Sequence, residues 1–154
     1  MTSARGLANH SLYMARLLLD AWLAADQTAP ARTAALNAAF APAVRSHLLD
    51  AYGWFLLALT RQTRLPNTPP HSTSELPELG PGIAEPGEID EYRHWEQKGW
   101  LSALQAPLPA GMPPPQRSNV LAATAAYPGY DDYQEYFTTL EALFQRMADS
   151  VDEH

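Results

Sequence analysis

The chain has 154 residues, no cysteine, and a formal net charge of −7 from 10 basic and 17 acidic side chains. That length suffices for one domain with its own core, and the missing thiols exclude a disulfide framework, a zinc–thiolate site and a thiol nucleophile. The acidic balance opposes nucleic acid and anionic membrane as partners, because affinity for polyanions comes from Lys and Arg neutralising phosphates.

A first helix is predicted over 4–25, with Thr2 or Ser3 as N-cap. Its apolar stripe is Leu7, Met14, Leu18 and Trp22, flanked by Tyr13, Leu17 and Leu19. Asn9, His10, Arg16 and Asp20 interrupt this stretch as a secretory h-region, so a cytoplasmic location is expected. Arg16 and Asp20 are instead spaced as an i,i+4 pair on a solvated face. No run reaches the ~18 apolar residues of a membrane span. Asp26-Gln27-Thr28-Ala29 is a short polar connection, which makes the first two helices antiparallel neighbours. The second helix is predicted over 30–65, opened by Pro30 and closed by Leu65-Pro66. Leu36, Phe40, Val44, Leu48, Ala51, Phe55 and Leu59 recur along it at helical spacing. Pro42 removes a hydrogen bond and predicts a kink or a break near Phe40 and Ala41. The Ala-rich part around it permits close approach of a neighbour, and Tyr52, Trp54 and Phe55 form the thickest layer of the core.

From Pro66 to Gly87, six prolines and three glycines leave room for no more than one turn, near Ser74 to Leu79. A third helix follows over 88–105, with Glu88, Asp90 and Glu91 where the helix dipole favours acids and Gly99 implying a close packing contact. A second proline-rich loop over 106–117 leads to a short helix over 118–126. The last helix, 131–151, opens with Asp131 and Gln134 at capping-box spacing. It carries Tyr133, Phe137, Leu140, Phe144, Met147 and Val151 on one face. No stretch alternates as a half-buried strand does. The expected fold is all-α, an up-down bundle of four main helices with two proline-rich crossover loops, in a single domain over 1–154.

The string Ala8-Asn9-His10-Ser11-Leu12-Tyr13-Met14-Ala15-Arg16-Leu17 resembles the opening of an uncharacterised family of small helical proteins from pseudomonads and related bacteria. The resemblance continues in Tyr52-Gly53, in Arg64-Leu65-Pro66 and in Trp100-Leu101-Ser102-Ala103-Leu104, and the acidic aromatic run from Tyr130 to Tyr136 is compatible with it. These are packing and helix-end residues. The resemblance therefore implies a helical fold and brings no activity, cofactor or catalytic residue with it. The chain departs from the family in its heavier proline-rich connections.

Three histidines fall on the first three helices: His10 between Leu7 and Met14, His47 between Val44 and Ala51, and His94 a heptad before Leu101. Glu91 and His94 form one Glu-x-x-His pair, the spacing that carboxylate-bridged metal bundles use twice, and Asp50 lies three residues after His47. Convergence of His10, His47, Asp50, Glu91 and His94 would make a metal or acid/base centre. The structural alternative is that each histidine is hydrogen-bonded separately at the edge of the core. Arg5 and His10 also match the Arg-x4-6-His spacing of HEPN-type ribonuclease bundles, but that pattern belongs on a later helix of such folds. A third group, Tyr127, Tyr130 and Tyr136 with Tyr133 and Phe137, would form an interaction surface if exposed and packing if buried. No phosphate loop, serine elbow or zinc spacing is present, and no cofactor is implied. The sequence reads as a non-enzymatic helical bundle acting on another protein or on itself. A metal-dependent or acid/base enzyme using a buried His/Glu cluster is the alternative.

Overall fold

Every regular element among residues 2–110 and 127–152, which the computed structural model describes, is helical. In chain order these are α1 (Ala4–Thr28), α2 (Thr33–Leu59), α3 (Gly87–Lys98), α4 (Trp100–Gln105), α5 (Tyr130–Arg146) and α6 (Ala148–Asp152). Two 3₁₀ turns, Pro30–Arg32 and Thr73–Glu75, accompany them. The all-α class expected from the sequence is therefore what the chain adopts. Among the described residues no helix is long and apolar enough to cross a membrane. The predicted helix over 118–126 lies outside the described residues, and the second proline-rich loop is described only as far as Ala110.

Ser3 starts α1 by accepting the Gly6 N–H at 2.9 Å, which satisfies one of the unpaired donors of the first turn. The buried stripe of α1 is Ala8, Leu12, Ala15, Leu19 and Trp22. It is rotated from the predicted one, since Leu7, Met14 and Leu18 are only half-buried. Small side chains explain the offset. Ala8 and Ala15 are fully buried, and with no bulk at these positions α1 lies close against α2, with which it forms the most extensive helix pair. The helix also runs through the expected connection, where Thr28 Oγ1 donates to the Ala24 and Ala25 carbonyls at 3.1 and 3.2 Å. Only Ala29 and the Pro30–Arg32 turn separate α1 from α2.

Continuing without a break through Pro42, α2 ends at Leu59 rather than at Leu65. The stop is a Schellman-type cap: Arg61 N–H bonds the Ala58 carbonyl at 3.1 Å and Gln62 N–H bonds that of Leu57 at 3.0 Å. Arg61 sits at φ 56°, the left-handed conformation this motif requires. Every residue from Ala51 to Thr60 is buried, so this half of α2 is the axis of the molecule. Phe55 stacks on Phe144 of α5 with centroids 4.0 Å apart. Farther along, Trp22 of α1 lies against Phe40, Tyr130 and Tyr133, with centroids 5.6, 6.1 and 6.0 Å away.

The third predicted helix is two. Gly99 is extended (φ −137°, ψ −160°) and separates α3 from α4, and a Cβ at this position would stand 3.0 Å from both Cα and Cδ1 of Trp95. Arg45 of α2 closes α4 by donating to the Leu104 and Gln105 carbonyls at 3.2 and 2.9 Å, which satisfies acceptors that the helix end leaves open. The last predicted helix also divides, at Met147. Its cap differs from the expected one: Gly129 precedes the first turn and donates its N–H to Asp132 Oδ2 at 2.9 Å. Gln134 is occupied instead with the Tyr130 hydroxyl, 3.2 Å from its Oε1.

Candidate functional site

The five polar residues singled out from the sequence lie apart in function. His10 is exposed on α1, His94 is exposed on α3 and His47 is half-buried on α2. Asp50 is paired with His71 of the segment between α2 and α3, with Nε2 to Oδ1 2.8 Å. Glu91 accepts from Arg146 Nη2 at 3.0 Å. Among the described residues there is no group of three or more His, Asp or Glu that could hold a metal ion. The His10, His47, Asp50, Glu91 and His94 set is therefore not brought together into one centre.

What these helices build instead is a latch for residues 66–86, which the sequence did not reveal. Gly53 lets this strap touch α2, because a Cβ there would fall 1.7 Å from the Pro70 carbonyl oxygen. Just beyond, Glu96 of α3 accepts three hydrogen bonds. They come from Tyr52 Oη at 2.5 Å, the Thr73 N–H at 2.9 Å and Thr73 Oγ1 at 2.7 Å. His71 adds further ties, its N–H donating to Glu75 at 2.8 Å and its carbonyl accepting from Gln105 Nε2 at 2.8 Å. Burial, then the Glu96 carboxylate beside it, pushes the Tyr52 phenol far above its ordinary value. Tyr92, whose ring meets that of Tyr52 edge-on at 5.0 Å, is raised chiefly by burial as well. The Tyr133 hydroxyl is pushed up to about 12 by burial. These phenols stay neutral at ordinary pH; Tyr52 acts as a donor to Glu96, and the Tyr92 and Tyr133 rings pack in the core.

Tyr127, Tyr130 and Tyr136 are half-buried and packed against the core. Tyr127 Oη donates to the Pro109 carbonyl at 2.7 Å. Tyr130 meets Trp22 edge-on, and Tyr136 stacks on Trp100 at 6.4 Å and meets Tyr133 edge-on at 5.6 Å. The aromatic surface that does stand in water is elsewhere, on the outer side of α1. Tyr13 is 57% and Leu17 46% exposed. His10, Ala21 and Ala24 are exposed with them, and the helical repeat places all four within about 40° of Leu17 around the axis. Beside this stripe, Arg16 holds its guanidinium 4.2 Å from the centroid of the Phe137 ring and reaches Asp20 at 3.9 Å. The signal was in the sequence: Tyr13 and Leu17 flank a stripe that, read through its alanines, faces the other way.

Comparison with known proteins returns one family, "Family of unknown function (DUF6586)", which matches residues 1–153. No curated protein and no solved structure matches. Nothing in these comparisons points to an enzymatic activity. With the match running over nearly the whole chain and the described residues all-helical, the chain belongs to the DUF6586 family, whose function is unknown.

Proposed function

We propose that the protein is a non-enzymatic association module that pairs with a second copy of itself through the outer face of α1. One observation carries this reading: the exposed stripe of α1 is self-complementary when reversed. In an antiparallel apposition centred on Leu17, that residue meets its own copy, Tyr13 meets Ala21, His10 meets Ala24 and Thr28 meets Gly6. Each flanking pair sets a larger side chain over a smaller one, which is what an isologous two-fold contact needs to close without voids. All seven residues are exposed in the single chain.

Two copies carrying −7 each repel, and added salt screens that repulsion within a Debye length of about 8 Å at physiological ionic strength. Association is therefore expected to tighten as salt rises, the reverse of a contact held by ion pairs. Sedimentation equilibrium over a concentration series tests this. The wild-type chain is expected to form dimers, and Leu17→Glu is expected to remain monomeric with unchanged helical circular dichroism. A wild-type chain that stays monomeric at the highest concentration and salt would refute the reading. The up-down order of the four longer helices and a cytoplasmic location belong to the same proposal. They are supported by the short turn between α1 and α2 and by the cysteine-free composition.

A further inference from the structure

At the end of the molecule opposite the Trp22 cluster along α2, the end of α2, the strap, the start of α3 and α6 border a half-open cavity of about 470 Å³, within the size range of small-molecule sites. Leu59, Leu79 and Ile83 give it apolar walls, and Arg61, Glu88 and Ser150 give it polar ones. Three features of these residues set the cavity apart from a simple gap. First, Arg61 occupies a left-handed position (φ 56°) where glycine is the residue without strain, so its side chain is kept at a cost to the helix cap. Second, exposed Arg61 and half-buried Glu88 border the same space with opposite charges, and neither has an ion-pair partner among the described residues. Third, Ile83 is 61% exposed, the most exposed large apolar side chain among the described residues.

We infer that this cavity binds a small zwitterion with an apolar body, such as an aliphatic amino acid or a short apolar peptide. Arg61 takes the carboxylate, Glu88 takes the ammonium, and Ile83 and Leu79 cover the hydrocarbon. The opposite charges select this class. A lone anion would lie beside the like charge of Glu88 and a lone cation beside that of Arg61, whereas a zwitterion sets an opposite charge against each. A divalent cation is disfavoured because the wall supplies one carboxylate beside a guanidinium. The outer face of α1 contributes nothing to this cavity, so the inference stands or falls apart from the pairing proposed above.

Titration of the ¹⁵N-labelled chain with four probes, followed by amide shifts, tests it. The probes are L-leucine, L-leucyl-L-leucine, 4-methylpentanoate and 3-methylbutylamine. The zwitterions are expected to bind about tenfold or more tightly than either single ion, with shifts confined to residues 59–61, 79–88 and 150. The tighter of the two zwitterions identifies free amino acid or peptide as the source. Arg61→Gly keeps the helix cap while removing the guanidinium. It is expected to weaken L-leucine about tenfold without lowering the melting temperature. Glu88→Gln is expected to bring 4-methylpentanoate level with L-leucine. Equal affinities for all four probes, no shifts at tens of millimolar, shifts centred elsewhere, or undiminished binding by both variants would overturn the inference.

Discussion

At Gly53 one hydrogen atom stands where any other residue would carry a β-carbon, and the strap rests on that difference. Because the obstructing atom is a backbone carbonyl, 1.7 Å from the position a Cβ would take, no side-chain rotation can relieve it. Gly53→Ala is therefore expected to cost about 3 kcal/mol, seen as a lower urea midpoint at unchanged slope. The buried tyrosines make a second prediction. An unfolded tyrosine ionises near its ordinary value of 10, whereas Tyr52, Tyr92 and Tyr133 are all raised, chiefly by burial. Above about pH 10 the folded chain thus holds protons that the unfolded chain has lost, so stability is full below that point and falls as pH rises beyond it. Urea unfolding between about pH 8 and 11 should show a plateau and then a decline. Tyr92 makes a separable contribution, because its buried hydroxyl has no partner among the described residues. Tyr92→Phe is expected to be at least as stable as the parent at neutral pH and to lose part of the alkaline slope.

Among the elements, Glu96 is the strap's most connected tie, since it accepts from both α2 and the Thr73 turn. Glu96→Ala leaves the Thr73 N–H and the Tyr52 hydroxyl without their acceptor, at a cost of about 1–3 kcal/mol. Amides of residues 66–86 are expected to exchange markedly faster while those of α1 do not. Equal exchange along the strap would mean that Pro70 packing and the ties to Asp50, Arg93 and Gln105 hold it without Glu96. The helices themselves were legible in the sequence wherever proline or periodic apolar residues marked them, which is why α1, α2 and α5 fall close to expectation. Their ends were less legible. The α2 stop lies in Thr60-Arg61-Gln62, which holds neither proline nor glycine and depends on Arg61 adopting a conformation that its type disfavours. The buried face of α1 was misread by one position because Ala8 and Ala15 contribute closeness rather than bulk. The latch was illegible for a different reason. Asp50 with His71, and Glu96 with Tyr52 and Thr73, join residues 21 to 44 apart in the chain, and no local spacing encodes such pairs.

Taken whole, the chain divides its side chains into three uses. Aromatic and aliphatic residues of α1, α2 and α5 fill one interior, polar residues of α2 and α3 fasten the strap, and one row on α1 stands exposed among the described residues. That division accounts for the absence of a converging His/carboxylate centre among the described residues, since Asp50 and Glu91 are already engaged with His71 and Arg146. It also assigns the tyrosines near α5 to packing and leaves the Tyr13–Leu17 row without an internal duty among the described residues. The chain contains no cysteine, so single introduced thiols report contacts cleanly. The most direct measurement is oxidation of the Leu17→Cys, Tyr13→Cys and Ala21→Cys chains, alone and mixed. Leu17→Cys is expected to link to itself, and Tyr13→Cys to link to Ala21→Cys in preference to itself, as Cα separations of about 4.4–6.8 Å across the contact would allow. Crosslinks that form equally at all three positions and at an exposed control such as Ala103→Cys, or at none, would contradict the account.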